Sequence, residues 1–285
     1  MSSLREIKNR IASVKSTLKI TSAMKLVASS KLRKAQKAIE NLRPYEEMLS
    51  GILVSLKGGL PAAQDGVRQE AEESGSAGTL IVAISSNSSL CGGFNANVIK
   101  KAYAEVKACD GPVEVVSIGR KMADFMRKAG YPCAGDYSEL VSHSSYEACS
   151  ELAGSIASRY YSGKLSRVVL VYNHFVSTSK QVPVVENYLP FEMDSDVESS
   201  DFSDYIIEPS AKEVVEQLLP QVLMMKFYAA ILDSLAAEHA ARTIAMQTAT
   251  DNGEELLSDL TLEYNKGRQQ KITSEILDLV GGAQQ

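Results

Sequence analysis

Near the N-terminus, Ile7, Ile11, Val14, Leu18, Thr21, Lys25, Ala28, Leu32, Ala35, Ile39 and Leu42 recur at alternating steps of four and three residues. That spacing is a heptad seam, and it requires a helix with a partner helix along its length. Thr21 and Lys25 are polar positions within it. Pro44 is the first interruption, and no glycine precedes Gly51. A capping box, Ser3-x-x-Glu6, marks the start. A helix of roughly 50 residues would run about 75 Å, far longer than an ordinary globular helix.

The C-terminal segment mirrors the first. Ser210-x-x-Glu213 is a second capping box, after Pro209. From Ala211 to Val280 the only strong helix breakers are Pro220, Gly253 and Gly267. Met225, Ala229, Leu232, Ala236, His239, Thr243 and Met246 again step by four and three. Leu257, Leu260 and Tyr264 continue the pattern, then Ile272, Ile276 and Leu279 after a phase shift. The expected fold class is α/β, with long N- and C-terminal helices forming an antiparallel coiled coil around a central Rossmann-like open α/β sheet domain. The boundaries fall at 1–57, 58–209 and 210–285.

The central reading rests on short β-branched runs, Leu80–Ile84, Val113–Ile118, Val168–Tyr172 and Val182–Val185. Helical stretches near Ala96–Ala108, Lys121–Ala129 and Tyr146–Tyr160 separate the first three. Alternating strands and helices predict an open, mainly parallel sheet. Residues 58–78 read as a surface loop, and 192–204 as an acidic connection.

Charge is unevenly spread. Residues 1–57 hold twelve basic and four acidic residues, an excess of +8, whereas the whole chain of 285 residues carries −5. A charged outer face of a coiled coil accounts for part of this. The lopsidedness exceeds what i,i+4 pairing within the helix would balance, and points to an acidic partner for the arm. The net acidity argues against nucleic acid as the main partner. Cys91, Cys109, Cys133 and Cys149 have neither zinc nor disulfide-framework spacing. The most apolar stretch, Leu218–Ala237, is interrupted by Pro220, Gln221, Lys226 and Asp233, so no membrane span is expected.

The segment ISSNSSLCGGFN, residues 84–95, joins a strand to a helix, where many α/β proteins hold a phosphate. It lacks the Lys of a Walker loop and the third glycine of a dinucleotide loop. A strand-to-helix turn or a docking surface fits it better. The acidic run Asp194, Asp196, Glu198, Asp201 and Asp204 lacks the glycine and closing Glu of a calcium loop. His143, His174 and His239 lie far apart, and neither Ser89 nor Cys91 has a base near in sequence. No catalytic residue, cofactor site or metal site is expected. An enzyme using a nucleotide, and a scaffold or nucleic-acid arm, stand as alternatives to a non-catalytic shaft.

LREIKNRIASVKSTLKITSAMKLVASSKLRKAQ, residues 4–36, resembles the N-terminal helix of the gamma subunit of F-type ATP synthases. Residues 240–283 are similar to that family's C-terminal helix, including I-T-x-E-x-x-[DE]-x-x-x-G-A at Ile272, Thr273, Glu275, Asp278, Gly282 and Ala283. SSLCGGFN resembles the family's GLCGGxN stretch, with Asn87-Ser88-Ser89 where an Asp-Arg-Gly type sequence is common. The chain ends in Gln284-Gln285, where the family usually has a small or basic residue at the second position.

The resemblance implies a central rotor shaft inside a ring of three alpha and three beta subunits, meeting epsilon and the membrane c ring, with catalysis on beta. It implies beta contacts at Arg268 and Gln269, whose planar guanidinium and amide suit a loop's acceptors. It implies coupling positions at Met24, Arg242, Thr273 and Glu275. Cys91, Lys31, Arg33 and Lys34 are expected beside an acidic lever of beta. The regulatory cysteine pair of the chloroplast form is not expected here. A match beginning at Leu4 leads us to expect a bacterial origin, with a peripheral place on the cytoplasmic face of the inner membrane.

Overall fold

The computed structural model describes residues 4–55, 78–109, 111–132, 135–191, 208 and 210–282. The Ser3 cap, the loop 58–77, Cys133 and the acidic connection 192–204 lie outside them. Helix α1 is Leu4–Ser55 and passes through Pro44. Strand β1, Gly78–Ile84, leads to α2, Phe94–Ala108. Strand β2, Val113–Ile118, leads to α3, Arg120–Lys128. The short α4, Ser138–Ser142, and α5, Tyr146–Tyr161, precede β3, Leu165–Ser177, and β4, Lys180–Leu189. Helix α6 is Ala211–Gly282. The chain divides into two compact units, Met1–Ser29 with Arg242–Gln285, and Ser30–Ala241.

In the unit Ser30–Ala241 the strand order is β2-β1-β3-β4. The first three strands are parallel, and β4 returns antiparallel along β3. Layers cover both faces, which is why β1 reads as an unbroken apolar run. Leu80, Val82 and Ile84 face α5 through Leu152, Ile156 and Tyr160, along with Leu49 and Leu53 of α1 and the Val215–Leu235 stretch of α6. Ile81 and Ala83 face α2 and α3 through Val98, Ala102, Val106, Met122 and Met126. Pro183 sits in β4, an edge strand where a missing N–H is tolerated.

Both β3 and β4 run longer than their β-branched cores, because the ladder continues through polar pairs such as His174–Val182 to Ser177–Lys180. The second capping box forms: Ser210 Oγ accepts from Glu213 N at 3.3 Å. Helix α6 is long and apolar enough in one stretch to cross a membrane, but 56% of that stretch is buried in the protein, as in a core helix. Lys226 in it pairs with Glu186 at 2.8 Å.

In the unit Met1–Ser29 with Arg242–Gln285, α1 and α6 run antiparallel. Leu18 meets Gly253, and Leu4 meets Gly267, so each step back along α1 matches an equal step forward along α6. The two polar seam positions are satisfied in pairs. Thr21 Oγ1 lies 2.9 Å from Thr250 Oγ1, and Lys25 Nζ donates to Gln247 Oε1. A polar layer of this kind fixes register, because a slip would strand its members unpaired.

Candidate functional site

Three regions hold the residues expected to matter: the β1 loop, the exposed basic turn of α1, and the helical pair.

The β1 loop is closed on itself. Helix α3 begins beside it, and its first backbone donors all find oxygens from that loop. Arg120 N donates to Asn87 Oδ1 at 3.1 Å, Lys121 N to Ser86 O at 3.2 Å, and Met122 N to Ser85 Oγ at 2.9 Å. The N-terminal donors of α3 are thus taken up by the protein's own oxygens, and at α2, the helix the segment leads into, Phe94 N donates to Cys91 O at 3.3 Å. Asn95 crosses the loop: its Oδ1 accepts from Ser86 N at 3.1 Å, and its Nδ2 donates to Cys91 Sγ at 3.1 Å. Asn87 Nδ2 reaches outward to Ser138 O at 2.8 Å and Ser142 Oγ at 2.9 Å, tying the loop to α4.

Cys91 therefore points inward. It is buried with Phe94, Ala237 and Ala241. What the loop presents outward is Leu90, 61% exposed at φ 66°, with Gly92 and Gly93 beside it. A leucine held in the left-handed region and turned to solvent is a costly local choice. Sequence reasoning missed it, since nothing in the segment's residue types marks the position of the strained backbone. Cys149 is likewise structural: burial pushes its thiol up to about 12.

On α1, Lys31, Arg33 and Lys34 are exposed, and none forms an ion pair among the described residues. Leu32 and Ala35 between them pack on Ala236 and Ala240 of α6. The basic turn is thus held by an apolar seam with its charges free for a partner.

In the helical pair, Met24 is half-buried and Arg242 is buried. Arg268, Gln269, Thr273 and Glu275 are exposed. Thr273 Oγ1 donates to Gln269 O at 2.9 Å, and Glu275 lies 3.7 Å from Lys271. More telling are apolar side chains that sequence reasoning passed over. Ile20, Leu26 and Val27 on α1 are 57%, 68% and 57% exposed, and Leu262 and Leu277 on α6 are 68% and 65% exposed. They lie off the seam, which Ile7, Ala28, Met246 and Leu260 already fill. Apolar residues at non-seam heptad positions were the available signal. Such a surface calls for a partner that covers it.

Among the described residues no group of His, Cys, Asp and Glu could hold a metal. The sequence model of the ATP synthase family matches residues 3–285. A relative from Phocaeicola vulgatus, an ATP synthase gamma chain, is 46% identical over 99% of both chains. The ATP synthase gamma chain of Flavobacterium johnsoniae is 41% identical over 100% of this chain and 99% of its own. Among solved structures, a chain of the Euglena gracilis mitochondrial ATP synthase OSCP/F1/c-ring assembly superposes with a TM-score of 0.64 at 17% identity, covering 98% of this chain and 92% of that one. A rotor chain of the same enzyme gives 0.62 at 18% identity, covering 94% and 98%. At that identity the superpositions speak to the fold.

Proposed function

The chain belongs to the ATP synthase gamma-chain family, and on that premise we propose that it is the central-stalk rotor subunit of an F-type ATP synthase. It couples rotation of the membrane c ring to conformational change, and so to ATP synthesis or hydrolysis, at the beta subunits. It is a non-catalytic member of a membrane-associated complex, and its partners are alpha, beta, epsilon and the c ring. The bacterial relatives support a place on the cytoplasmic face of the inner membrane.

The observation that carries this reading is the helical pair with a filled seam and leucines turned outward. A rotor inside a ring needs an outer surface that each surrounding subunit meets differently. Only unequal contact with the beta conformations can shift their populations. Arg268, Gln269, Thr273 and Glu275 supply polar contacts on that surface, and Met24 an apolar one. Lys31, Arg33 and Lys34 meet an acidic element of beta. Cys91 and Arg242 are buried, so they act from beneath, Cys91 by holding Leu90 and Gly92–Gly93 in place.

Co-purification tests the assignment. The chain alone should neither bind ATP tightly nor hydrolyse it, and mixing with alpha and beta should yield a stable complex that hydrolyses ATP. Tight ATP binding by the isolated chain would favour an enzyme of the α/β domain. Salt-sensitive DNA binding stronger than binding to alpha and beta would favour a nucleic-acid arm.

A further inference from the structure

A cavity of about 390 Å³ opens within the unit Ser30–Ala241, between α1, α6 and the loop after α4. Lys31 and Lys34 line it from α1, Ser142 from the end of α4, His143 and Ser144 from the loop after it, and His239 from α6. No carboxylate lines it. Its inner wall includes Leu232 and Leu235, both buried, while Lys31, Lys34, Ser142 and His143 are exposed at its mouth. Neither lysine is ion-paired among the described residues. Ser142 Oγ accepts from Asn87 Nδ2 at 2.9 Å, which leaves its own O–H to donate. Helix α5 starts at the rim, where Ser145 Oγ accepts from Ala148 N at 3.2 Å.

We propose that this cavity binds a phosphate-type oxyanion, with Lys31, Lys34, His143 and the Ser142 hydroxyl as its donors. The volume exceeds the share of about ten waters, at ~30 Å³ each in the liquid. Either free inorganic phosphate or the phosphoryl end of a nucleotide fits. A bound anion would bridge the basic turn of α1 to the α4–α5 loop, which Asn87 already ties to the β1 loop. The site is distinct from the β1 loop, and it shares Lys31 and Lys34 with the beta contact proposed above, so it is tested on the chain without beta.

Calorimetric titration of the isolated full-length chain at low salt tests the proposal, with inorganic phosphate and, separately, ADP as probes. One saturable phosphate site is expected. The double variant Lys31→Gln/Lys34→Gln should weaken it about ten-fold or more, as loss of charge-assisted bonds does. His143→Ala should weaken it as well. Lys37→Gln removes a nearby exposed charge that does not line the cavity, and should change binding less than about two-fold. All three alter exposed side chains, and unchanged circular dichroism confirms that each variant is folded. ADP binding tighter than phosphate binding and lost in the double variant assigns the cavity to a nucleotide's phosphoryl group, and phosphate binding tighter than ADP assigns it to the free anion. ADP binding that survives the double variant lies elsewhere and overturns the assignment to this cavity. Absence of saturable binding at millimolar phosphate, or equal weakening by Lys37→Gln and the double variant, overturns the proposal.

Discussion

At Gly119, φ is +100° and a Cβ would stand 2.2 Å from the Ser85 carbonyl oxygen. Both the backbone angle and the close approach demand glycine. Gly119→Ala should lower stability by about 3 kcal/mol, the sum of strain and a clash with backbone that cannot yield. The midpoint of denaturant unfolding measures this, and an unchanged midpoint would mean the β1 loop and the start of α3 are not packed as described. In the pair Gly92–Gly93 a Cβ on Gly92 would meet nothing within 4 Å, so there only its positive φ of +58° favours glycine. A glycine's reason lies in what approaches it across the fold, which a local string does not display. Glu114 and Arg159 give a pH prediction. Their bidentate contact lowers the Glu114 pKa from the ordinary 4.5, chiefly through the hydrogen bonds from Arg159. A depressed folded pKa contributes stability above the unfolded value and loses it as pH falls through the folded one. Glu114→Gln should therefore flatten the loss of stability below about pH 4.5. At pH 7 it should cost less than about 1 kcal/mol, because both side chains are more than a third exposed.

Gly253 and Gly267 show what the helices conceal from a sequence reader. As residue types they look like breaks in the long C-terminal helix. In the structure α6 runs through both, and each receives a leucine of α1: a Cβ on Gly253 would lie 2.7 Å from Leu18 Cδ2, and one on Gly267 3.0 Å from Leu4 Cδ2. The glycines allow close approach of the helices rather than a bend. Gly253→Leu should destabilise the helical pair by about 1–3 kcal/mol through overpacking, read as an earlier thermal transition by circular dichroism. A stabilised pair would show that the leucine does not seat there. The seam was legible where heptad positions are buried, Ala28, Leu32 and Ala35 among them, but the expected seam positions Ile272 and Ile276 near the end of α6 are 47% and 54% exposed, because no residue of α1 reaches back beyond Leu4 to cover them. The three parallel strands were legible for a related reason: burial on both faces leaves no polar alternation. Helix α4 was not. Its five residues have too few turns to show a period, and its place depends on Asp136 Oδ1 accepting from Ser138 N at 2.9 Å and on the reach of Asn87.

Taken as one molecule, the chain combines an α/β domain with a two-sided core and a helical pair that turns Ile20, Leu26, Val27 and Leu262 to its outer surface. The role of a shaft was legible from the two matching ends. The surface proposed to perform it was not, because Leu26 and Leu262 look like any other helix residues until the seam is seen to be filled without them. Leu26→Asp with Leu262→Asp should leave the isolated chain within about 0.5 kcal/mol of its original stability, since both are surface positions. The same changes should weaken assembly with alpha and beta and lower ATP hydrolysis by the complex. Equal hydrolysis would place the working contact elsewhere. The most direct measurement of the rotor assignment follows a probe fixed to this chain in an immobilised complex with alpha and beta. During ATP hydrolysis the probe should turn in one direction, pausing at three positions in each revolution as successive beta subunits act. A probe that stays still while ATP is hydrolysed would contradict the assignment.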